Sequence, residues 1–75
     1  MGKRPPGLTA KEIVRALEKA GFVTQRQKGS HLTLRHPVTK YTTVVTMHPG
    51  EVPRVFLRTI LKQTGMSVEE FERLL

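Results

Sequence analysis

The residues best suited to chemistry stand together in the stretch 26–31, which reads R-Q-K-G-S-H. In this stretch His31 directly follows a glycine–serine pair, with two basic residues just before it. Imidazole takes up and releases a proton near neutral pH, and positive side chains stabilise the charge that develops at a reacting phosphate. Either His31 is an ordinary residue at the start of a strand, or it is an acid–base catalyst acting on whatever those charges attract.

The distribution of charge favours a polyanion as that ligand. The chain has 75 residues and a formal net charge of +7. Residues 1–50 hold nine Lys or Arg against two Glu, whereas residues 51–75 hold four of each sign. No acidic residue lies between Gly21 and Gly50. Phosphate contacts release counterions and steer encounter, so this surface suits a nucleic acid; a merely soluble basic surface is the alternative.

Length and composition limit the other possibilities. We expect residues 1–7 to form a flexible basic arm and residues 8–75 to form one small domain. The chain has no cysteine, which excludes a disulfide framework and a thiolate zinc site. No apolar run approaches the roughly 18 residues that a membrane span needs, and the first residues lack the apolar stretch of a secretory signal. A cytoplasmic location is therefore expected.

The first predicted element is a helix over residues 10–20. Thr9 and Glu12 have the spacing of a capping box at its start, and Gly21 supplies a stop. Apolar residues recur at helical spacing between these signals. The same helix carries a basic edge formed by Lys11, Arg15 and Lys19.

Three strands are predicted next, over residues 22–28, 31–36 and 41–47. The first two are joined by the two-residue turn Gly29-Ser30, in which glycine tolerates a positive φ. Residues 31–36 alternate strictly between apolar and polar. The alternation directs Leu32 and Leu34 to the core, and His31, Thr33 and Arg35 away from it.

The last third of the chain is predicted to be helical again. Pro53 suits the first turn of a second main helix that ends at Gly65, and Ser67 with Glu70 forms a capping box for a short third helix. The apolar stripe of the second helix comprises Phe56, Leu57, Ile60 and Leu61. Core positions are expected for the three phenylalanines, Phe22, Phe56 and Phe71.

The order α-β-β-β-α, with a short further helix, predicts an α+β fold. A three-stranded sheet this small needs one face covered, and each main helix has one apolar stripe. Both helices should therefore pack on the same face of an antiparallel sheet. The other face stays open to solvent and presents His31.

Several segments together resemble the HicA toxins, which are mRNA interferases of toxin–antitoxin systems. The segments are G-F-x(3)-R-Q-K-G-S-H, M-H-P-G and L-R-T-I-L-K-Q-T-G-M-S, and the resemblance runs from about Thr9 to Phe71. It implies a double-stranded-RNA-binding-domain-like fold, which agrees with the order of elements. The chain departs from the family pattern at residues 53–57, where P-R-V-F-L replaces Pro-x-Gly-Thr-Leu.

The resemblance also implies an activity and a partner. The family's catalytic histidine follows the Gly-Ser turn, which assigns that role to His31. The implied activity is cleavage of mRNA without the ribosome, and the implied partner is a HicB-type antitoxin that covers the histidine. The predicted RNA-binding residues are Arg26, Lys28, Gly29, Ser30, Arg35, Lys11 and Arg15.

We expect no metal and no other cofactor. His36 and His48 each precede a proline at a strand end, where a role in forming the turn explains them. A three-histidine metal site would have no Cys or Asp to complete it, and the Glu residues lie in other segments.

Two rival functions stay open at this point. One is a non-catalytic module that binds double-stranded RNA; such domains carry a lysine-rich motif at the start of the second helix, where this chain reads P-R-V-F. The other is a protein-interaction role, in which an acidic partner holds the basic face permanently.

Overall fold

The computed structural model describes residues 7–75. The predicted arm, residues 1–7, lies outside the described residues except for Gly7. The elements are α1 (Ala10–Lys19), β1 (Val23–Lys28), β2 (His31–Arg35), β3 (Thr42–Thr46), α2 (Arg54–Thr64) and α3 (Val68–Arg73). The predicted order of helices and strands is confirmed.

Helix α1 begins with the predicted capping box. The Thr9 hydroxyl accepts a hydrogen bond from the Glu12 backbone N–H at 3.2 Å, and the Glu12 carboxylate accepts one from the Thr9 N–H at 2.9 Å. The helix ends at Lys19, and the backbone turns at Gly21, which has a φ of 105°. Because a left-handed φ is strained in residues with a Cβ, glycine is favoured there.

The three strands form one antiparallel sheet in the order β1-β2-β3. Lys28 pairs with His31 across the two-residue turn, and His31 pairs in turn with Thr46 of β3. Gly29 has a φ of 59°, and Lys40 is the only non-glycine with a positive φ among the described residues. A positive φ at the first turn residue alone is typical of a type II′ hairpin turn, so the glycine is required by the turn geometry.

Strand β1 contains a bulge that the sequence pattern did not predict. The register with β2 shifts between Thr24 and Arg26, which leaves Gln25 as the extra residue. Phe22 is buried, whereas Arg26, four residues later, pairs with Thr33 on the exposed side. Residues four apart in a regular strand share a face, so the bulge allows the two side chains to face opposite ways.

All three helices contribute to a single core on one face of the sheet. The core residues are Ala10, Ile13, Ala16, Leu17, Phe22, Leu32, Leu34, Val45, Ile60, Leu61 and Phe71. In β2 the buried residues Leu32 and Leu34 alternate with more exposed neighbours, as predicted. The α+β prediction is confirmed. No helix within residues 7–75 is long and apolar enough to cross a membrane.

The start of α2 differs from the prediction. Pro53 is the N-cap residue, and the helix begins at Arg54. Phe56 is 57% exposed, so its prediction as a core residue is wrong, while Phe71 at 2% and Phe22 at 5% are confirmed. The buried residues of α2 lie in its second half, from Ile60 onward, whereas Phe56 lines an open groove beside β3.

The short helix α3 is held by its own capping box. The Ser67 hydroxyl accepts from the Glu70 N–H at 3.1 Å, and the Glu70 carboxylate accepts from the Ser67 N–H at 2.8 Å. The hydrogen bond from the Ser67 backbone is the main cause that lowers the pKa of Glu70 from its ordinary value. Phe71, in the middle of the helix, is buried in the core.

Candidate functional site

The candidate site lies on the face of the sheet opposite the helices, which we call the open face. Directly paired residues of neighbouring strands point to the same face, so the register defines its members. They form three rows across the strands: Lys28, His31 and Thr46; Arg26, Thr33 and Val44; and Val23, Arg35 and Thr42. The positively charged members are all exposed, and no acidic residue belongs to the set.

His31 is exposed and lies between Lys28 and Thr46. The Cβ atoms of directly opposed residues are about 4.5–5.5 Å apart, which brings the Lys28 ammonium group within reach of a phosphate contacted by His31. Residue pairs between antiparallel strands are alternately hydrogen-bonded and non-hydrogen-bonded. The hydrogen bonds from Met47 N to Ser30 O and from His36 N to Tyr41 O show which pairs of β2 and β3 are of each kind. They make His31–Thr46 a non-hydrogen-bonded pair, in which side chains approach closely.

The two arginines of the open face lie at different distances from His31. Arg26 pairs with Thr33, two residues along β2, so it is a diagonal neighbour about 7–8 Å from His31 at the Cα atoms. Arg35 lies four residues along the same strand, or about 13 Å away. Lys28 and Arg26 are therefore close enough to contact one small anion together with His31, whereas Arg35 is too far from His31 to share it.

The turn between β1 and β2 is held by its neighbours. The Ser30 carbonyl accepts from Met47 N at 2.6 Å, and the Gly29 carbonyl accepts from the Gln27 amide at 3.2 Å. These bonds fix the segment that immediately precedes His31. Ser30 is half-buried and Gly29 is exposed.

The three residues of the basic edge of α1 lie in different surroundings. Lys11 is exposed and lines a groove with His48, at the end of the sheet where the turn Gly29-Ser30 lies. Arg15 is exposed one helical turn farther away. Lys19 donates to the Leu74 carbonyl at 3.1 Å, which ties its ammonium group to the C-terminal end of the chain. Because α1 covers the core side, none of these residues belongs to the open face.

His36 has the turn-forming role that its position predicted. Its Nδ1 accepts hydrogen bonds from Val38 N at 3.1 Å and Thr39 N at 3.3 Å. The ring packs edge-on against Phe22, with the ring centroids 5.2 Å apart. A Cβ placed on Gly21 would lie 2.8 Å from His36 Nε2, so this histidine is enclosed by its neighbours. It is part of the scaffold rather than of the open face.

Metal-independence stays a prediction. Over the described range 7–75, the structure contains no group of three or more His, Cys, Asp or Glu that could hold a metal ion.

Sequence reasoning did not find the groove that His48 shares with Lys11. The signal was the M-H-P-G motif, which follows a strand whose end lies beside His31. A role in forming the turn stays the prediction for His48.

A family model described as the HicA toxin of bacterial toxin–antitoxin systems matches residues 10–66, which is more than half of the chain. The matched segment runs from the first residue of α1 to just beyond α2 and includes the whole sheet. No curated protein matches the chain.

Proposed function

The chain belongs to the HicA family of toxins of bacterial toxin–antitoxin systems, and from this we propose that it is an endoribonuclease that cleaves mRNA without the ribosome. In this proposal His31 is the acid–base catalyst, the reaction needs no metal or other cofactor, and the protein acts in the cytoplasm. A HicB-type antitoxin is its protein partner.

One observation carries the proposal: the exposed His31 lies directly opposite Lys28 on a face without acidic residues. RNA supplies its own nucleophile in the 2′-hydroxyl, so the enzyme needs only proton transfer and stabilisation of charge. The new O2′–P bond forms as the P–O5′ bond breaks. The expected products are a 2′,3′-cyclic phosphate and a 5′-hydroxyl.

Each remaining residue of the site has a role that follows from its position. His31 moves the proton, and Lys28 and Arg26 stabilise the extra negative charge on the phosphorane. The Gly29-Ser30 turn orients a phosphate oxygen through a backbone N–H or the serine hydroxyl. Arg35, farther along β2, holds a neighbouring phosphate.

Lys11 and Arg15 extend the RNA path beyond the open face. Both side chains are exposed, and the groove containing Lys11 begins at the His31 end of the sheet. Contacts there supply affinity independent of sequence, because phosphate contacts carry no base information.

The same surface explains inhibition by a partner. An acid-free face bearing Arg26, Lys28 and Arg35 is complementary to an acidic protein surface. An antitoxin bound there covers His31 and competes with RNA for the same charges. Co-purification with the product of an adjacent reading frame tests this partner.

The test of the proposal is incubation with a labelled single-stranded RNA. The wild-type protein should cut it, and His31→Ala should bind it without cutting. His31 is exposed, so the variant should keep the wild-type circular dichroism spectrum and melting temperature.

Two results would overturn the proposal. If neither protein cuts RNA while both bind a duplex tightly, the chain is a double-stranded-RNA-binding module. If His31→Ala cuts as fast as wild type, the catalyst is another residue.

A further inference from the structure

His48 lies beside the catalytic end of the sheet, two residues after the last residue of β3. The hydrogen bond from Met47 N to Ser30 O, at 2.6 Å, extends the pairing of the two segments one residue past Thr46. The backbone entering His48 is therefore held against the residue that precedes His31.

Alternation along this extended segment places His48 on the same side as His31. Thr46 pairs with His31 on the open face, and Met47 is half-buried and packs against the core. The next side chain, His48, returns toward the open side and is exposed. It is then a diagonal neighbour of His31, about 7–8 Å away at the Cα atoms, which is within reach of two imidazole side chains.

We propose that His48 is a second acid–base catalyst, in an inference that rests on the proposed ribonuclease function. His31 accepts the proton of the 2′-hydroxyl as O2′ bonds to phosphorus. His48 donates a proton to O5′ as the P–O5′ bond breaks. One proton is taken and one is given, so atoms and charge balance without a further reactant.

The groove next to His48 suits the departing strand. It is lined by Thr9, Ala10, Lys11, Met47, His48, Pro49 and Gly50, at the N-terminal end of α1. Lys11 supplies a positive charge there for the phosphate that follows the scissile bond. RNA crossing from the open face into this groove passes both histidines.

The experiment removes the need for a general acid. The cleaved linkage is first mapped with wild type, and an RNA is then made with sulfur in place of O5′ at that linkage. A thiolate leaves without protonation. On ordinary RNA the cleavage rate of His48→Ala should therefore be at least about 100-fold below that of wild type, whereas on the sulfur substrate it should come within about tenfold of the wild-type rate. His31→Ala should be slow on both substrates.

A matched control separates chemistry from the shape of the turn. His48→Asn keeps a polar side chain of similar size in the same turn without an acid–base group, so it should show the same loss and the same recovery as His48→Ala. A purely structural role of His48 would instead leave His48→Asn close to the wild-type rate. Melting temperatures of all variants monitor folding.

Three outcomes would overturn the inference while leaving the proposed function intact. His48→Ala cutting ordinary RNA like wild type would remove His48 from catalysis. Equal loss on both substrates would indicate a structural role. Rescue of His31→Ala instead of His48→Ala would reverse the assigned roles. Failure of wild type to cut any RNA would refute the proposed function itself.

Discussion

Lys28 is the basic residue whose removal should most affect catalysis, because it alone among the cations of the open face lies directly opposite His31. We expect Lys28→Ala to lower kcat/KM for RNA cleavage by about 10- to 100-fold, since one charge is withdrawn from the phosphorane. Lys62→Ala, which removes an exposed lysine from α2, is the matched control, and its kcat/KM should stay within about twofold of the wild-type value. Equal losses for the two variants would mean that only overall charge matters.

Glu70 gives a prediction about pH at the scale of one side chain. Hydrogen bonding from Ser67 lowers the pKa of Glu70, so the ionised carboxylate favours the folded state. This contribution is complete above the ordinary pKa of the carboxyl and is lost as the pH falls through the lowered value. Glu70→Gln should therefore reduce Tm at pH 7 and have a smaller effect at acidic pH.

Glu72→Gln is the control for Glu70, because it removes the same charge from α3 outside the capping box. Thermal melts of the three proteins at both pH values make the comparison. A Glu70→Gln difference in Tm that is the same at both pH values would contradict the link to ionisation.

At the scale of the element, the bulge in β1 makes two single-residue deletions differ. Deleting Gln25 removes the bulge, so the pairing of β1 with β2 becomes regular and Arg26 still pairs with Thr33 on the open face. Deleting Gln27 instead also makes the pairing of β1 with β2 regular, but it moves Arg26 to the position opposite Leu32, on the core side of the sheet. We expect the first deletion to keep RNA binding and the second to weaken it.

Binding of labelled RNA in the His31→Ala background measures this difference without cleavage. The two proteins have equal length and equal charge, so each is a control for the other. Similar RNA affinity of the two deletion variants would contradict the assigned register.

Sequence reasoning recovers the elements that carry strong local signals. Both capping boxes, the two-residue turn and the alternation in β2 depend on neighbours in the chain, and the structure contains all of them. The bulge at Gln25 left no comparable signal. Every residue of β1 is exposed, so the pattern of polar and apolar residues does not show which of them point to which face of the sheet. The bond from Lys19 to the Leu74 carbonyl depends on tertiary packing.

The candidate site was predictable in part for the same reason. A two-residue turn after Lys28 fixes the pair Lys28–His31, so these two residues follow from local sequence. The position of His48 depends on the pairing of β3 with β2, which a sequence pattern does not specify. Phe56 was placed wrongly because helical periodicity identifies a stripe but not how much of it the sheet covers.

At the scale of the whole molecule, the single core predicts unequal effects for two phenylalanines. Phe71→Ala should lower the free energy of unfolding by about 3–5 kcal/mol, because its side chain is 2% exposed and its removal leaves a cavity. Phe56→Ala should change it by less than about 1 kcal/mol, because Phe56 is 57% exposed. Urea unfolding followed by circular dichroism compares them, and equal losses would contradict the described packing.

The uneven charge of the whole chain predicts how RNA binding responds to salt. If the five cations assigned to RNA (Lys11, Arg15, Arg26, Lys28 and Arg35) each neutralise one phosphate, the logarithm of the binding constant should fall with a slope of about −3.5 against the logarithm of salt concentration. Lys28→Ala should make that slope shallower by about 0.7. Titrations in the His31→Ala background measure both, and a slope near zero would rule out the open face as the RNA-binding surface.

Catalysis by His31 is tested most directly by the single-turnover rate of RNA cleavage by wild type and His31→Ala, purified identically and assayed on one RNA. If His31 is the acid–base catalyst, His31→Ala should be at least about 100-fold slower, and the wild-type products should end in a 2′,3′-cyclic phosphate and a 5′-hydroxyl. A loss of less than about threefold, or products with a 5′-phosphate, would contradict it.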